Sequence, residues 1–208
     1  MTRDLPKVVP DKTRYVPLQQ QPYSCCATCI QMVCIRRGLP LLPAELIGWH
    51  LGLVIPPEDA HFFYNPRISE KPPPKGYGTQ VGIEGQGIDT DLAFQNLGLP
   101  LKLEIMEYKS FEKTEDIWEA IETNLAADND VIMSVLWGDV VNTREIQEPY
   151  DPDSLHIILV DYIDDDYIRF VDPARGPKWR LFHKDYICQS MEKNKERPSS
   201  GIWIIKDA

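Results

Sequence analysis

Apolar residues recur at helical spacing from residue 25 onward, after a proline-rich N-terminal arm that has no period. In the stretch 25–37, one stripe of apolar side chains follows the predicted helix. Ser24 is a favourable N-cap residue and Gly38 suits the position after the last turn. The last turn carries two arginines, which the helix dipole favours. The pattern therefore predicts a helix over 25–37.

Other stretches complete the predicted secondary structure. Pro43 suits a first helical turn, so 43–51 is predicted to be helical, with Leu46, Ile47 and Leu51 facing inward. Three further helices are predicted, at 89–96, 114–126 and 183–190. Alternation and short apolar runs predict strands at 101–105, 131–137, 155–163, 167–172 and 201–206. Because the helices come first and antiparallel strands follow, we expect an α+β fold with N-terminal helices packed on an antiparallel β-sheet.

Residues 54–87 interrupt this regular pattern. The stretch contains several prolines, including 72–74, and several glycines between 76 and 87. A long loop inside a compact chain is usually functional, and its aromatic residues at 62–64 argue against simple disorder. We interpret 54–87 as a Pro/Gly-rich insertion on the surface of a single domain that comprises residues 1–208.

Composition excludes several classes of protein. With 43% hydrophobic residues among 208, the chain can form a core, which argues against disorder. The net charge of −10, from 32 acidic and 22 basic residues, argues against a nucleic-acid partner. No apolar run approaches the roughly 20 residues needed to span a bilayer. The polar start of the chain has no signal-peptide pattern, so we expect a cytoplasmic protein without a membrane span.

The cysteines are unusual in number and spacing. An odd number, with four of them within ten residues, does not suit a secreted disulfide scaffold. A zinc site is disfavoured because it needs four ligands, and a redox pair is disfavoured because no strand precedes the cluster. We therefore expect no metal and no cofactor. The cysteines are Cys25, Cys26, Cys29, Cys34 and Cys188.

Cys25 differs from the other cysteines in its place on the predicted helix. It is the first helical residue, where free backbone N–H groups and the dipole stabilise an anion. A thiol at such a position has a lowered pKa and is a candidate nucleophile. Cys29, Cys34 and Cys188 are interpreted as buried core residues.

A nucleophilic thiol needs a base and a group that orients the base. His156 begins one predicted strand, and Asp172 ends the next, with the acidic turn 164–166 between them. The two residues are equidistant from position 164, so we expect them to lie opposite each other in a hairpin. Gln19, six residues before Cys25, is a candidate donor to an oxyanion.

These residues together resemble the double-glycine (bacteriocin-processing) peptidase-like family of papain-like cysteine peptidases. In that family a Gln lies six residues before a catalytic Cys that opens a helix, His starts a strand, and Asp-Pro ends the following strand. The resemblance implies that Cys25 is the nucleophile, His156 the general base, Asp172 the orienting residue and Gln19 the oxyanion-hole residue. The chain differs from the family in having Cys26 where a glycine is usual, and it is expected to be a stand-alone domain without the ABC transporter.

The expected function is a cysteine peptidase that hydrolyses a peptide or isopeptide bond through a Cys-His-Asp triad and a thioester intermediate. Its partner would then be a protein or peptide substrate. The same triad also serves a glutamine deamidase or an acyl or peptidyl transferase, because these differ only in the bond attacked and in the acceptor. A non-catalytic binding module is the third hypothesis, with the stretch 54–87 as its working surface.

Overall fold

The structure, a computed structural model, describes residues 12–82, 88–136, 138, 155–174 and 178–208. The helices are α1 (Cys25–Arg36), α2 (Ala44–His50), α3 (Thr90–Asn96), α4 (Thr114–Ala126) and α5 (Lys184–Asn194). The strands are β1 (Val54–Ile55), β2 (Arg67–Ile68), β3 (Leu101–Glu107), β4 (Asp130–Leu136), β5 (Leu155–Ile163), β6 (Tyr167–Asp172), β7 (Lys178–His183) and β8 (Gly201–Asp207). Short 3-10 helices span Pro57–Phe62 and Tyr108–Ser110.

The main sheet has six strands in the order β3-β8-β4-β5-β6-β7, and every neighbouring pair is antiparallel. Its last strand along the chain, β8, lies between β3 and β4. The predicted α+β class with an antiparallel sheet is therefore confirmed. Within the described ranges, no helix is both long enough and apolar enough to cross a lipid bilayer.

Both faces of the sheet are covered by helices. Ile157 and Leu159 of β5 contact the core formed with α1, α2 and α3. Ile158 and Val160, which point the opposite way, contact the core formed with α4 and α5. The nearly continuous apolar sequence of this strand thus reflects burial on both sides, and the N-terminal helices account for only one of the two helical layers.

Several predicted elements match the structure closely, and others need correction. Leu46 is 41% exposed, although Ile47 and Leu51 are buried as predicted. β7 is a strand that the prediction omits, although Lys178, Trp179, Arg180 and Leu181 alternate between polar and apolar as in a strand. The predicted helix at 183–190 is α5, which extends to residue 194. Positions 1–11 of the predicted arm and position 137 of the predicted strand lie outside the described residues.

The stretch 54–82 has short elements of its own, and positions 83–87 of the predicted insertion lie outside the described residues. β1 and β2 form a small parallel pair. Leu53, Ile55 and Phe63 bury their side chains in a separate small core. Of the aromatic run 62–64, only Phe63 packs in this core, whereas Phe62 and Tyr64 are exposed.

The C-terminal end of α1 is tied to the sheet by a buried carboxylate. The Asp130 side chain, at the start of β4, is fully buried. It accepts hydrogen bonds from Arg36 Nη1 at 3.0 Å, Arg37 Nε at 2.6 Å and the Tyr15 hydroxyl at 2.7 Å. The two arginines of the last turn thus do more than complement the helix dipole, because they fix α1 against β4 and the N-terminal arm.

We expect Asp130→Ala to lower the free energy of unfolding by about 3 kcal/mol, since it removes the buried carboxylate that Arg36, Arg37 and the Tyr15 hydroxyl share. Urea denaturation followed by circular dichroism measures this change. Glu104→Ala is the matched control, because Glu104 pairs with Lys206 at the exposed surface, where an ion pair contributes less than about 1 kcal/mol. Equal losses for the two variants would contradict the proposed anchoring of α1.

Candidate active site

Cys25 lies at the N-terminal end of α1, where its helix has no side-chain cap. Ser24 occupies the N-cap position as predicted, but its hydroxyl donates to the Pro22 carbonyl at 3.4 Å and makes no capping bond. The N–H groups of the first turn are therefore left for other acceptors. The Cys25 sulfur, which is half-buried, receives hydrogen bonds from the backbone N–H groups of Ile157 and Cys26.

His156 connects Cys25 to Asp172. The imidazole is only 7% exposed, and its Nε2 lies 3.0 Å from Asp172 Oδ1, to which it donates. Because Nε2 is engaged in this way, Nδ1 is the ring atom left to exchange a proton with sulfur. The imidazole and the Cys25 thiol share a side-chain hydrogen bond. Three of the four sequence-predicted site residues are thus linked in one hydrogen-bonded chain.

The electrostatics of this chain favour charge separation between sulfur and imidazole. Burial by itself raises the pKa of Cys25, but the hydrogen bond and charge of His156 outweigh it, so this pKa is lowered. Burial by itself lowers the pKa of His156, but hydrogen bonds with Asp172 and Cys25 raise it to about 9. Both shifts stabilise a thiolate–imidazolium pair at neutral pH.

Asp172 is held in place by more than the imidazole. Its Oδ1 also accepts the backbone N–H of Ala174 at 2.9 Å, and its Oδ2 accepts Arg180 Nε at 2.7 Å. Burial by itself raises the pKa of Asp172, but His156, Ala174 and Arg180 lower it overall. Sequence reasoning missed Arg180, although the alternation of residues in 178–183 would have indicated a strand beside β6.

The predicted opposition of His156 and Asp172 across the hairpin is wrong by two residues. β5 and β6 pair Leu159 with Val171, so the next position pairs Ile158 with Asp172. His156 is therefore a diagonal neighbour of Asp172 on the same face, a distance that long side chains still bridge. The offset arises because the hairpin is centred between residues 165 and 166, where Ile163 pairs with Ile168, and not at residue 164.

A β-bulge decides that the two side chains share a face. The register of the hairpin shifts by one residue at Asp161, and without that shift Asp172 would face away from His156. The buried Asp161 carboxylate accepts the backbone N–H of Arg14 at 2.6 Å and Arg169 Nε at 2.5 Å. These contacts anchor the bulge to the N-terminal arm and to β6.

Gln19 lies near this group but makes no contact with it that defines a role. Its side chain is exposed, and within the described part of the chain it has no hydrogen-bond partner. The neighbouring backbone N–H of Gln20 donates to the carbonyl of Pro173 at 2.7 Å. This bond places the Gln19 segment directly beside the end of β6, where Asp172 lies.

The loop before Cys25 is supported by the stretch 54–82. Tyr23 has a φ of +62°, in the left-handed region that non-glycine residues rarely adopt. Its hydroxyl donates to Asp59 Oδ2 at 2.9 Å, and its ring packs edge-on against Tyr77 at 5.8 Å. Gln21 Nε2 reaches the Phe62 carbonyl at 3.4 Å. The stretch 54–82 therefore forms part of the wall around the candidate nucleophile.

The remaining cysteines differ from Cys25 in their surroundings. Cys26, Cys29 and Cys34 are buried, and Cys188 lies on α5, on the opposite face of the sheet. Burial raises the pKa of each of these thiols. None belongs to a group of three or more potential metal ligands among the described residues.

Comparison with solved structures identifies the fold. Seven chains match, among them a protein from Bacillus anthracis described as a "putative C39-like peptidase". It superposes with a TM-score of 0.53 and 13% sequence identity, over 95% of this chain and 99% of that chain. No family model and no curated protein matches the sequence. The chain thus has the α+β fold of papain-like cysteine peptidases.

We expect Asp172→Asn to lower the pKa of His156 by about one unit or more, because the negative charge that stabilises the imidazolium is removed. The comparison is made between Cys25→Ser and the Cys25→Ser/Asp172→Asn double variant, with NMR titration of the imidazole as the measurement. Asp165→Asn, an exposed carboxylate of the same hairpin, is the control and should leave the titration unchanged. An identical His156 titration in all three proteins would contradict the coupling.

Proposed function

We propose that this chain is a cysteine peptidase, related to the double-glycine peptidase-like group, that hydrolyses a peptide or isopeptide bond. Cys25 is the proposed nucleophile, His156 the general base and acid, and Asp172 the orienting residue. The observation that carries the proposal is the hydrogen-bonded chain from the Cys25 thiol through His156 to Asp172 at an uncapped helix N-terminus. The papain-like fold supports the same reaction class.

In the proposed acylation step, the proton of the Cys25 thiol resides on His156 Nδ1. The thiolate attacks the amide carbonyl carbon, and the carbonyl π electrons move to oxygen to form a tetrahedral oxyanion. The oxyanion then collapses, the C–N bond breaks, and the imidazolium donates its proton to the departing amine. The products of this step are a thioester on Cys25 and a free amine.

In the proposed deacylation step, His156 acts as a base toward water. It takes a proton as the water oxygen attacks the thioester carbon, and the second tetrahedral oxyanion expels the Cys25 thiolate. The carboxylic acid product leaves, and the thiolate–imidazolium pair is restored. Asp172 stays ionised throughout, because Arg180 and the Ala174 N–H also bind its oxygens.

Two donors are proposed for the oxyanion. The first is the backbone N–H of Cys25, which has no acceptor among the described residues and belongs to the positive end of α1. The second is the Gln19 side-chain amide, whose exposed position next to the Gln20–Pro173 bond leaves it available to a bound substrate. A water-exposed donor of this kind is expected to engage when the substrate carbonyl arrives.

We expect the purified chain to cleave peptides from a proteome-derived mixture, with new N-termini identified by mass spectrometry. Cys25→Ala and His156→Ala should each lower the rate by about a thousandfold or more, because members of a triad act as a unit. Cys188→Ser is the matched control, because it removes a thiol on the opposite face of the sheet and should retain full activity.

The products also separate the alternatives that use the same triad. Deamidated glutamine without chain cleavage would identify a deamidase, and new amide linkages between peptides would identify a transferase. Absence of all three products, with Cys25 alkylated no faster than Cys188, would overturn the proposal and favour a binding module.

A second expectation concerns the pH dependence of hydrolysis. On the acid side, activity should fall as Cys25 becomes protonated, at a pH below the ordinary value for a thiol because its pKa is lowered. On the alkaline side, activity should fall near pH 9 as His156, with its raised pKa of about 9, loses the proton needed by the leaving amine. The pH profile of kcat/KM measures both limbs. An alkaline limb that survives unchanged in Asp172→Asn would contradict its assignment to His156.

A further inference from the structure

The carboxylate of Asp172 lies between two groups that carry positive charge. Its Oδ1 lies 3.0 Å from His156 Nε2, and its Oδ2 lies 2.7 Å from both Nε and Nη2 of Arg180. The imidazolium and the guanidinium thus bind different oxygens of one carboxylate. Only a single carboxyl group separates the two cations.

All three side chains are withdrawn from water. His156 is 7% exposed, Asp172 1% and Arg180 6%. Charges in such surroundings interact more strongly than charges at the surface, because water screens them less. A guanidinium keeps its positive charge across the pH range in which an imidazole titrates. Arg180 is therefore a constant cation beside Asp172, whereas the charge of His156 changes with pH and with the step of the proposed reaction.

Strand β7 fixes Arg180 in this place. The register between β6 and β7 pairs Phe170 with Arg180. Asp172 lies two residues further along β6, so Arg180 is its diagonal neighbour on the same face. On that face Phe182 of β7 stacks on Phe170, with ring centres 5.5 Å apart and an angle of 12° between the rings. Arg180 therefore reaches Asp172 from a packed strand.

The direction of the Asp172 carboxylate has other support besides Arg180. Oδ1, the oxygen that faces the imidazole, also accepts the backbone N–H of Ala174 at 2.9 Å. His156 and Ala174 hold this oxygen whether or not Oδ2 has a partner. The main effect of Arg180 is therefore electrostatic, because its charge offsets the negative charge that stabilises the imidazolium.

Two further titratable groups near His156 belong to α1. The Cys25 thiol shares a hydrogen bond with the imidazole, and the Cys29 thiol is within reach of the Asp172 charge. Burial raises the pKa of Cys29 well above its ordinary value, so this thiol is neutral at physiological pH. Of the two thiols, only Cys25 adds a negative charge, and it does so only while it is a thiolate.

The sum of these charges changes when the thiolate reacts. Before acylation the anions Cys25 and Asp172 balance the cations His156 and Arg180. In the thioester Cys25 is uncharged, so a protonated His156 would leave one buried positive charge in excess, which is unfavourable. Arg180 therefore favours the transfer of the proton from His156 to the departing amine. It also leaves the imidazole neutral, which is the form that takes a proton from water in deacylation.

We propose that Arg180 is a positioning residue of the reaction, which acts through the Asp172 carboxylate and makes the imidazolium of His156 a better proton donor. The inference rests on the proposed function, because the proton transfers it concerns are those of acylation and deacylation. Arg180 and Asp172 have opposite effects on His156. The carboxylate favours the protonated imidazole, and the guanidinium limits that preference.

The test measures the protonation of His156 in the Cys25→Ser background, which has no thiolate and in this respect matches the thioester. NMR titration of the imidazole compares this parent with the additional changes Arg180→Met, Arg180→Lys and Lys206→Met. In Arg180→Met we expect the pKa of His156 to rise by about half a unit to about one unit, because a buried cation beside the Asp172 carboxylate has been removed. Asp172→Asn should move it in the opposite direction, because that change removes an anion.

Two of these variants separate charge from local structure. Arg180→Lys keeps a cation and should titrate close to the parent. Lys206→Met removes the cation of a surface ion pair with Glu104 and should change nothing. If Arg180→Met fails to fold, which loss of the near-UV circular dichroism signal would reveal, Arg180→Gln replaces it, because its amide removes the charge and keeps a donor for Asp172.

The direction of the shift decides the inference. A lower pKa of His156 in folded Arg180→Met or Arg180→Gln would mean that Arg180 only holds Asp172 in place, and an unchanged pKa would mean that its charge does not act on the imidazole. Either result would overturn the inference. A shift in Arg180→Lys as large as that in Arg180→Met would also overturn it, because charge would then not be the cause.

Peptide cleavage by chains with Cys25 intact tests the same inference in the reaction. In Arg180→Met the alkaline limb of kcat/KM should move to higher pH, and kcat at neutral pH should fall about threefold to about tenfold, because His156 releases its proton less readily. An unmoved alkaline limb in Arg180→Met, with cleavage by the wild type, would overturn the role of Arg180 and leave the proposed function intact. A wild-type chain that cleaves nothing, and whose Cys25 is alkylated no faster than Cys188, would overturn the proposed function and the role of Arg180 with it.

Discussion

Helix α1 is fixed to the central sheet at both of its ends, and the geometry of the candidate site depends on this double attachment. At the C-terminal end, Arg36 and Arg37 bind the buried carboxylate of Asp130 where β4 begins. At the N-terminal end, the sulfur of Cys25 accepts the backbone N–H of Ile157 in β5. Because β4 and β5 are antiparallel neighbours, these two attachments together set the position of the helix relative to His156.

The two ends of α1 carry opposite partial charges, and different groups bind at each end. Arginines complete the negative end, whereas the positive end has no capping side chain and leaves its N–H groups free for sulfur or an oxyanion. A conventional Ser cap would have consumed one of those donors. The absence of that bond at Ser24 is thus consistent with a helix end that binds an anion, at the cost of some helix stability.

The stretch 54–82 lies outside the main sheet and contacts residues at the N-terminal end of α1. It holds the left-handed residue Tyr23 through Asp59 and Tyr77, and it contacts Cys26 through Thr79. The stretch 54–82 thus contacts the residues on both sides of the candidate nucleophile.

Many helices, strands and turns of this protein could be predicted from the order of its residues. The helical stripe of 25–37, the apolar strands and the acidic turn at 164–166 depend on local periodicity and turn chemistry, which act over a few residues. The same local reasoning put Cys25 at a helix start and selected His156 and Asp172 as its possible partners.

Other features of the site depend on the folded chain. The bulge at Asp161 sets which face Asp172 occupies, β7 places Arg180 against Asp172, and the stretch 54–82 contacts Tyr23 and Cys26, all through contacts between different elements of the fold. Local sequence preferences identify residues whose side chains are suited to catalysis. Their strand register, burial and charge environment depend on neighbours that only tertiary packing supplies.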